Sequence, residues 1–531
     1  MGNRGAKIKA AGLIALSLLV LAALFAMDET AYGRHEKKTL GMSVEELDVT
    51  PGIRMFVPED ENAGLPCDLY ATLFNEDESI QYLVVPDDLD ASKLVCYAES
   101  AAGDFCNRFV LDFSDTDTCT VGLRQVILKR THLPILSVSI DPYSPTLEEL
   151  CASNKDVECY GSAKLSVTKE AAHANGWIEE IESRDGLKET PGSVTLRGRG
   201  NTSWDFAKKK SYTLVFDKAV YMLDLGKNKK WNLVANAFDQ TLLRNEVLLE
   251  MAGDMGVPYE PKCEQVSLFI DGHYQGAYLL TTKVNVDKDR VALKKGDFLL
   301  NWGGTDEEQP IYYTCPAWEG KNDDYRADFM ELEWPKNDSE EDLKEKQVLV
   351  QELVDAITDP SDPHLWDILD LESTARYYWA QEISMNFDAD FRSTYLYYKA
   401  DSGKFYFGPV WDLDLALGWN ADKFGGAYMT PEGFPVRMAS WYADLFKRPE
   451  FKACCEDLYR TGGIREAMYD AIDRFEARIS EMAEDGDLDH RTWQGNDPVL
   501  GIKYGDTYEA QAQGTLQFFK DRAAWIDREL E

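Results

Sequence analysis

The stretch R-G-R-G-N-T-S-W at residues 197–204, followed by K-K-K at residues 208–210, is the most informative part of this 531-residue chain. Its glycines let backbone amides approach an anion closely, and a lysine on the next strand can reach the anion's oxygens. The stretch is therefore a candidate phosphate cradle, although the GxxxxGK[ST] spacing of a P-loop is absent. A solvated turn beside three lysines is the alternative, so the interpretation needs support from elsewhere.

Alternating apolar patterns on both sides predict a mixture of strands and helices. Predicted strands cover residues 192–197 and 211–216, a hairpin turns at Asp271-Gly272 within residues 265–280, and a second hairpin joins residues 395–399 to 404–410. Predicted helices cover residues 242–255, 343–358 and 370–384, and residues 446–531 are mostly helical. The pattern indicates an α+β fold.

Two acidic loops of the predicted fold contain candidate metal-binding and proton-accepting residues. Asp388 lies in N-F-D-A-D, between a helix end and a strand, and Asp412 and Asp414 form a D-x-D directly after a strand. A hard cation such as Mg²⁺ takes one or two carboxylates together with phosphate oxygens and water. One further aspartate is then free to accept a hydroxyl proton. Capping or turn roles for Asp412 and Asp414 are the alternative.

The order of the motifs resembles the CotH family of secreted, atypical, protein-kinase-like phosphotransferases. The matching segments are RGRGNTSW at 197–204, FDK at 216–218, KWNLVAN at 230–236, Asp239 with LLRN at 242–245, GVPY at 256–259, DGHYQGAYLL at 271–280, DRV at 289–291, Asn386-x-Asp388, RSTY at 392–395, GPVWD at 408–412 and a tail from Trp441 to Phe451. So many matches in one order, over roughly 250 residues, make the resemblance specific.

The resemblance implies a divergent protein-kinase-like fold that uses ATP and Mg²⁺ or Mn²⁺ to phosphorylate Ser or Thr hydroxyls. It gives Asp412 the role of metal-binding carboxylate and Asp388 the role of the aspartate that orients or deprotonates the acceptor. Lys210, with Lys209 as second choice, would meet the nucleotide phosphates. The remaining implied neighbours are Arg199, Arg244 and Asn245 for the nucleotide, and Asn386 and Asp414 for the metal.

One position departs from that family. The family commonly has T-E-[KQ] after the Tyr-Leu-Leu strand, whereas this chain has Thr281-Thr282-Lys283. If the glutamate orients a lysine or a metal, Thr282 leaves a cation without its partner and lowers the activity. The alternative function is therefore a CotH-like surface adhesin or scaffold protein with a weakened or inactive nucleotide site. A hydrolase that uses the same aspartates is a third hypothesis, since water can replace the acceptor hydroxyl.

The N-terminus predicts export. Three cations precede an uncharged apolar run at residues 10–27, which is typical of a signal peptide or of a signal anchor in the membrane. We expect a polar tether at residues 28–50 and a small β-rich, sandwich-like domain at residues 51–132. The kinase-like domain then covers residues 133–531, with a motif core at 195–445 and a helical part at 446–531. The location is extracytoplasmic, either secreted or anchored at the cell surface.

The charge balance limits the classes of partner that the chain is expected to bind. Lys plus Arg number 56 and Asp plus Glu number 94, so the formal net charge is −38. A protein this acidic repels nucleic acid, and a basic or Ser/Thr-rich protein substrate fits better. Export permits disulfides, and among the ten cysteines the close pairs Cys96–Cys106 and Cys151–Cys159 are candidates for local bridges. The sequence does not indicate an oligomeric state.

Overall fold

The computed structural model describes residues 54–72, 80–99, 105–122, 124–167, 192–302, 310–318, 329–389, 392–418, 427–438, 440–493 and 501–531. The predicted signal segment at 1–27 and the tether at 28–50 lie outside these ranges. Within them, no helix combines the length and the apolar character needed to cross a membrane. The chain forms two compact units, Met1–Arg130 with Asp271–Tyr274, and Thr131–Ile270 with Gln275–Glu531.

The first unit is built from strands. Its strands are β1 (Arg54–Val57), β2 (Leu69–Tyr70), β3 (Ile80–Pro86), β4 (Lys93–Glu99), β5 (Phe105–Asp112), β6 (Thr118–Val121) and β7 (Arg124–Thr131). They form a four-stranded sheet in the order β2-β1-β4-β5 and a three-stranded sheet in the order β3-β7-β6. Alternate residues Leu94, Cys96 and Ala98 of β4 are buried, as a sheet with one covered face requires. The predicted all-β character of this region is confirmed, and its sandwich packing stays a prediction.

A closed seven-stranded barrel opens the second unit. Its strands are β8 (Ile135–Ile140), β9 (Glu158–Ser166), β10 (Gly192–Arg199), β11 (Ser211–Tyr221), β12 (Lys227–Val234), β13 (Cys263–Ile270) and β14 (His273–Thr282). The strand order is β10-β11-β12-β14-β13-β8-β9, and β13 pairs with β8 in parallel. Inward residues such as Tyr212, Leu214 and Phe216 alternate along β11 and fill the interior together with Trp231. Closure leaves the barrel without exposed edges.

A five-stranded sheet follows, in the order β16-β17-β15-β18-β19. Its strands are β15 (Phe298–Trp302), β16 (Pro310–Tyr312), β17 (Phe329–Trp334), β18 (Thr394–Lys399) and β19 (Lys404–Phe407). The central strand β15 pairs Asn301 with Glu331 of β17 on one side and with Tyr395 of β18 on the other. These three positions therefore line up across the sheet.

Helices complete the second unit. They are α1 (Leu147–Ala152), α2 (Thr202–Phe206), α3 (Arg244–Asp254), α4 (Glu340–Thr358), α5 (Leu365–Ile368), α6 (Leu371–Ser384), α7 (Ser440–Leu445), α8 (Pro449–Thr461), α9 (Ile464–Glu481), α10 (Ala483–Trp493) and α11 (Tyr508–Leu530). Side-chain caps begin several of them, with Ser339 before α4, Asp370 before α6 and Thr507 before α11. The mixed α/β class of the chain is confirmed.

Buried ion pairs attach the C-terminal helices to the rest of the unit. Arg522 of α11 and Glu382 of α6 meet at 2.9 Å with both side chains fully buried. Asp489 of α10 pairs with Lys209 at 2.6 Å, and the Lys209 ammonium also donates to the carbonyl oxygen of Ala277 in β14. Removing one partner of such a pair costs about 3–5 kcal/mol, so residues far apart in sequence depend on each other.

The cysteines do not form the local bridge predicted at Cys151–Cys159. The two residues are not joined by a disulfide bond: the Cys151 sulfur lies 3.5 Å from the Tyr212 hydroxyl, and the Cys159 thiol donates to the carbonyl oxygen of Thr146. Cys96 is also a free, buried thiol, while the side chain of Cys106 lies outside the described residues. All nine cysteines whose side chains the structure describes are unbridged.

Candidate functional site

A cavity of about 340 Å³ in the second unit brings the predicted reactive segments together. Its lining comes from residues 199–203, Ser211, Val234, residues 236–238, Asn301, Asp388, residues 392–393, Tyr395, residues 411–412 and residues 414–415. Three of these residues, Asp388, Asp412 and Asp414, carry carboxylates, and Arg199 and Arg392 carry guanidinium groups. The cavity is therefore polar and bears both signs of charge.

The backbone at Asp412 directs two carboxylates into this cavity. Asp412 adopts a left-handed conformation with φ of 64°, which aspartate tolerates better than most residues. Leu413, between the two acids, is fully buried in the hydrophobic core. Because its side chain anchors the loop from behind, Asp412 and Asp414 both face the cavity.

Asn245 at the start of α3 fixes the same loop. Its side-chain oxygen accepts a hydrogen bond from the backbone N–H of Leu413 at 2.8 Å, and its amide nitrogen donates to the side-chain oxygen of Asn236 at 3.1 Å. Asn236 itself lines the cavity, whereas Asn245 does not. Asn245, predicted near the nucleotide, therefore acts on the acidic loop from behind.

The Asp388 loop is shaped by the end of α6. Met385 ends that helix in a left-handed conformation, and the side-chain oxygen of Asn386 then accepts from the backbone N–H of Asp388 at 3.1 Å. The Asn386 amide nitrogen donates to Gln381 at 2.8 Å. With both ends of its amide engaged and 1% exposure, Asn386 supports the loop and does not line the cavity.

Contacts across the cavity connect the two acidic loops. Arg392 donates to the Asp388 carboxylate at 3.1 Å, and the hydroxyl of the next residue, Ser393, donates to the Asp412 carboxylate at 3.2 Å. One short segment therefore holds both acids. Both contacts come from RSTY, a segment that also matches the family pattern.

Burial changes the proton affinity of two of the acids. Desolvation raises the pKa of Asp388 to about 6, although Arg392 lowers it, and the charge of Asp412 raises it further. Desolvation also raises the pKa of Asp414 well above its usual range, reinforced by the charges of Asp412 and Asp388. Close carboxylates in a desolvated cavity repel each other, and a bound cation would relieve that repulsion.

The donor set suits a hard divalent cation only in part. Among the described residues, no group of three His, Cys, Asp or Glu side chains is placed to hold a metal ion by itself. Mg²⁺ does not need such a cage, since one or two carboxylates plus phosphate oxygens and water complete its shell. Asp412 and Asp414 fit that smaller requirement, as oxygen donors in one cavity wall.

Arg199 is a cation in the same cavity as these acids. It ends β10, its guanidinium carbon lies 5.4 Å from the centre of the Trp411 ring, and it lines the cavity. Desolvation lowers its pKa, while the charges of Asp412 and Asp414 raise it. A planar, permanently charged guanidinium in this position suits phosphate oxygens.

The glycines on either side of Arg199 have a packing role. A Cβ atom on Gly198 would lie 2.5 Å from the Trp204 ring, and one on Gly200, at φ of 91°, would lie 2.4 Å from the Ser203 hydroxyl oxygen. The Trp204 indole donates to the carbonyl oxygen of Ser153. The RGRGNTSW stretch is thus folded tightly on itself, with residues 199–203 turned toward the cavity.

The structure places the predicted lysines away from the cavity lining. Lys210 donates to the carbonyl oxygen of Trp204 and stacks over its ring at 5.3 Å. Lys209 is 2% exposed and engaged by Asp489. Neither lysine is among the residues that line the cavity, so a phosphate-contacting role for Lys210 stays a prediction.

Arg244 also has structural partners. It pairs with Asp239 and donates from Nε to the carbonyl oxygen of Ala416 at 2.8 Å and from Nη2 to the Thr515 hydroxyl of α11 at 3.1 Å. It is 3% exposed and absent from the lining. The guanidinium joins three parts of the chain behind the acidic loop, and its assignment to the nucleotide stays a prediction.

Asn301 and Tyr395 line the cavity, and the sequence analysis assigned no role to either residue. Asn301 interrupts the apolar strand F-L-L-N-W, and its side-chain oxygen is buried without a hydrogen bond in the described structure. Tyr395 lies beside it, with a pKa raised well above the usual range by desolvation and by Glu333 and Glu331. A polar residue inside an apolar strand was the available signal for Asn301.

Thr282 lies outside the lining of the cavity that contains Asp388 and Asp412. It is 5% exposed, its backbone N–H donates to the carbonyl oxygen of Lys262 at 2.9 Å, and it lines a separate, smaller hollow with Lys283 and Arg290. It is not among the residues that line the larger cavity. The presence of Thr282 in place of the glutamate of T-E-[KQ] therefore does not alter the lining of the cavity that contains Asp388 and Asp412.

The family model described as CotH kinase protein matches residues 196–526, which is more than half of the chain and includes every segment that lines the cavity. No curated protein matches the chain.

Proposed function

The chain belongs to the CotH kinase family, and from that premise we propose that it is an extracytoplasmic atypical protein kinase. The reaction is transfer of the ATP γ-phosphoryl group to Ser or Thr hydroxyls of a secreted or surface protein. The family supports kinase-like chemistry in general, and the acceptor class and the location are our proposals.

The observation that carries the proposal is the presence of Asp388, Asp412 and Arg199 in the lining of one cavity. Phosphoryl transfer depends on positioning and on charge stabilisation more than on covalent chemistry of the protein. It needs a carboxylate for the metal, a second carboxylate at the acceptor hydroxyl and a cation for the phosphate oxygens. The three residues are of these three types.

Each side chain has a role that follows from its surroundings. Asp412 and Asp414 would hold Mg²⁺ or Mn²⁺, which when bound with ATP neutralises charge on the phosphates. Asp388, with a pKa of about 6, is ionised at neutral pH and can accept the acceptor's hydroxyl proton. Arg392 holds that carboxylate in place, and Arg199 binds phosphate oxygens.

The acceptor protein is expected to be basic or rich in Ser and Thr. The chain carries a formal net charge of −38, which attracts cationic partners and repels nucleic acid. The apolar run at residues 10–27 supports export, either with cleavage or as a membrane anchor.

The test is transfer of labelled phosphate. The chain without residues 1–27 is incubated with γ-labelled ATP, Mg²⁺ or Mn²⁺ and a basic, Ser-rich protein, and wild type is compared with Asp412→Asn and Asp388→Asn. Asp401→Asn is the matched control, because Asp401 is an exposed acid outside the cavity. We expect transfer by the wild type and the control and loss of transfer in both cavity variants.

Other outcomes separate the alternatives. Release of labelled phosphate to water without labelled protein, lost in Asp412→Asn, would indicate a hydrolase. No transfer together with no rise in melting temperature on adding ATP and metal would refute the kinase. Binding of the chain to a surface ligand that persists in Asp412→Asn would then support the adhesin or scaffold hypothesis.

A further inference from the structure

A second, smaller hollow of about 120 Å³ lies beside the end of β14. Three of its lining residues are cations, Lys262, Lys283 and Arg290, and two are acids, Glu260 and Asp289. Thr282 also lines it. In a chain with a net charge of −38, a hollow with more cations than anions is a departure from the average surface.

Arg290 is held in one orientation in this hollow. Its Nη1 donates to the carbonyl oxygen of Lys283 and to the side-chain oxygen of Asn285, both at 3.0 Å. Its guanidinium lies 4.9 Å from the centre of the Trp231 ring, a ring that is fully buried in the barrel. Stacking on one face and two hydrogen bonds at one nitrogen fix the plane of the group.

The other terminal nitrogen of Arg290 has no acceptor. Nη2 is buried and makes no hydrogen bond among the described residues. Buried donors of native proteins are almost always paired, so an exception calls for an explanation. An oriented guanidinium with a free N–H edge is the group that binds oxyanions best.

The acids that line the hollow are fewer than its cations. Asp289 forms an ion pair with Lys288, and the charges of Asp287 and Asp289 oppose the desolvation that lowers the pKa of Arg290 to about 10. Glu260 acts on Lys262 and Glu333 acts on Lys283 through charge, without a close ion pair in the described part of the chain. Residue 282, where the family commonly has glutamate, contributes a neutral threonine.

We infer that this hollow binds a single phosphate group, held by Arg290 with Lys262 and Lys283 at its rim. The anion takes the place that a carboxylate at position 282 would occupy. The inference does not depend on the proposed kinase activity, because none of these residues lines the larger cavity. The phosphate group can be free or carried on a phosphorylated protein.

The site is tested by measuring the melting temperature of the chain without residues 1–27 in increasing concentrations of inorganic phosphate. Sodium chloride at equal ionic strength is the reference. We expect the melting temperature of the wild type to rise with phosphate and to saturate, as linkage requires. Thr282→Glu should start at a higher melting temperature and lose the phosphate response, because it supplies its own anion. Thr282→Gln, of equal size but neutral, should keep the response.

Two further variants distinguish phosphate bound in the hollow from phosphate bound in the larger cavity. Arg199→Met should keep the saturable response, because Arg199 lines only the larger cavity, and Arg290→Gln should lose it. A wild type that responds to phosphate no more than to chloride, or a Thr282→Glu variant that responds as the wild type does, would overturn the inference.

A fluorescent peptide with one phosphoserine, compared with its unmodified serine form, distinguishes the two sources. Peptide binding that requires the phosphate and is lost in Thr282→Glu would show that the site accepts phosphorylated protein. Binding of inorganic phosphate alone would show that it takes the free anion. Binding of neither probe would refute the site, whatever the outcome of the kinase assay.

Discussion

The side-chain oxygen of Asn245 accepts a hydrogen bond from the backbone N–H of Leu413, at 2.8 Å, midway between two acids of the cavity. A residue of helix α3 thereby sets the direction of a loop that is 168 positions away in sequence. The geometry of Asp412 and Asp414 thus depends on a side chain that does not touch the cavity.

Asn245→Ala should reduce phosphoryl transfer at least tenfold, because the acidic loop loses the bond that orients it. A tenfold change in rate corresponds to only about 1.4 kcal/mol. Asn232→Ala is the control, since Asn232 is a similarly buried asparagine that accepts from Thr213 and does not line the cavity. Equal losses of kcat in the two variants, at matched folded fraction, would contradict the positioning role.

The pH dependence of transfer should follow Asp388. Its folded pKa of about 6 means that activity falls as pH drops below about 6 and the base is protonated. Arg392→Gln removes a charge that lowers this pKa, so the midpoint should move to higher pH, while Arg392→Lys should move it less. A midpoint that stays in place in Arg392→Gln would rule out Asp388 as the titrating group.

The carboxyl group of Asp388 also affects the stability of the fold, but with a pH dependence opposite to that of the activity. The folded pKa of about 6 lies above the value of about 3.9 for an unfolded aspartate. The folded state therefore holds the proton more tightly, and this group's contribution to the free energy of unfolding is lost as pH rises through about 6. Asp388→Asn should flatten that part of the stability profile, measured by urea unfolding between pH 4 and 7.

Arg199 and Lys210 compete for the role of the phosphate-binding cation. Arg199 lines the cavity, whereas Lys210 contacts Trp204. We expect Arg199→Met to weaken ATP binding at least tenfold and Lys210→Met to weaken it less, as measured by titration calorimetry with Mg²⁺. The reverse order would restore the lysine assignment drawn from the sequence.

The buried pair Arg522–Glu382 should dominate the stability of the C-terminal half. Arg522→Met leaves the buried Glu382 carboxylate without its ion-pair partner and should lower the free energy of unfolding by about 3–5 kcal/mol. Adding Glu382→Gln should recover part of the loss. Lys520→Ala, which breaks the exposed pair with Glu476, should cost less than about 1 kcal/mol. Similar losses in the buried and exposed variants would contradict this account.

Periodic segments and turn residues were predictable from the sequence. The predicted hairpin at Asp271-Gly272 and the predicted helix at 370–384 correspond to β13–β14 and to α6. Short strands such as β1 and β6 were missed, since four residues carry little periodicity. The local sequence pattern therefore predicted the longer helices and strands. Their exact ends and the shortest strands depended on tertiary packing.

The sequence predicted the acidic residues of the candidate site better than its basic residues. Asp388 and Asp412 lie in loops that follow regular elements, where side chains converge, and both line the cavity. Three successive lysines look alike in sequence, yet Asp489, a partner 280 residues away, engages Lys209. Only tertiary contact separates these lysines, so sequence spacing could not rank Arg199 above them.

The Lys209–Asp489 pair has a consequence for biosynthesis. A ribosome adds roughly 5–20 residues per second, so the lysine waits on the order of tens of seconds for an aspartate 280 positions downstream. During that interval the nascent barrel carries an unneutralised ammonium at a place that will later be dry. A chain that terminates before α10 would contain all seven strands of the barrel but would lack the aspartate that neutralises Lys209.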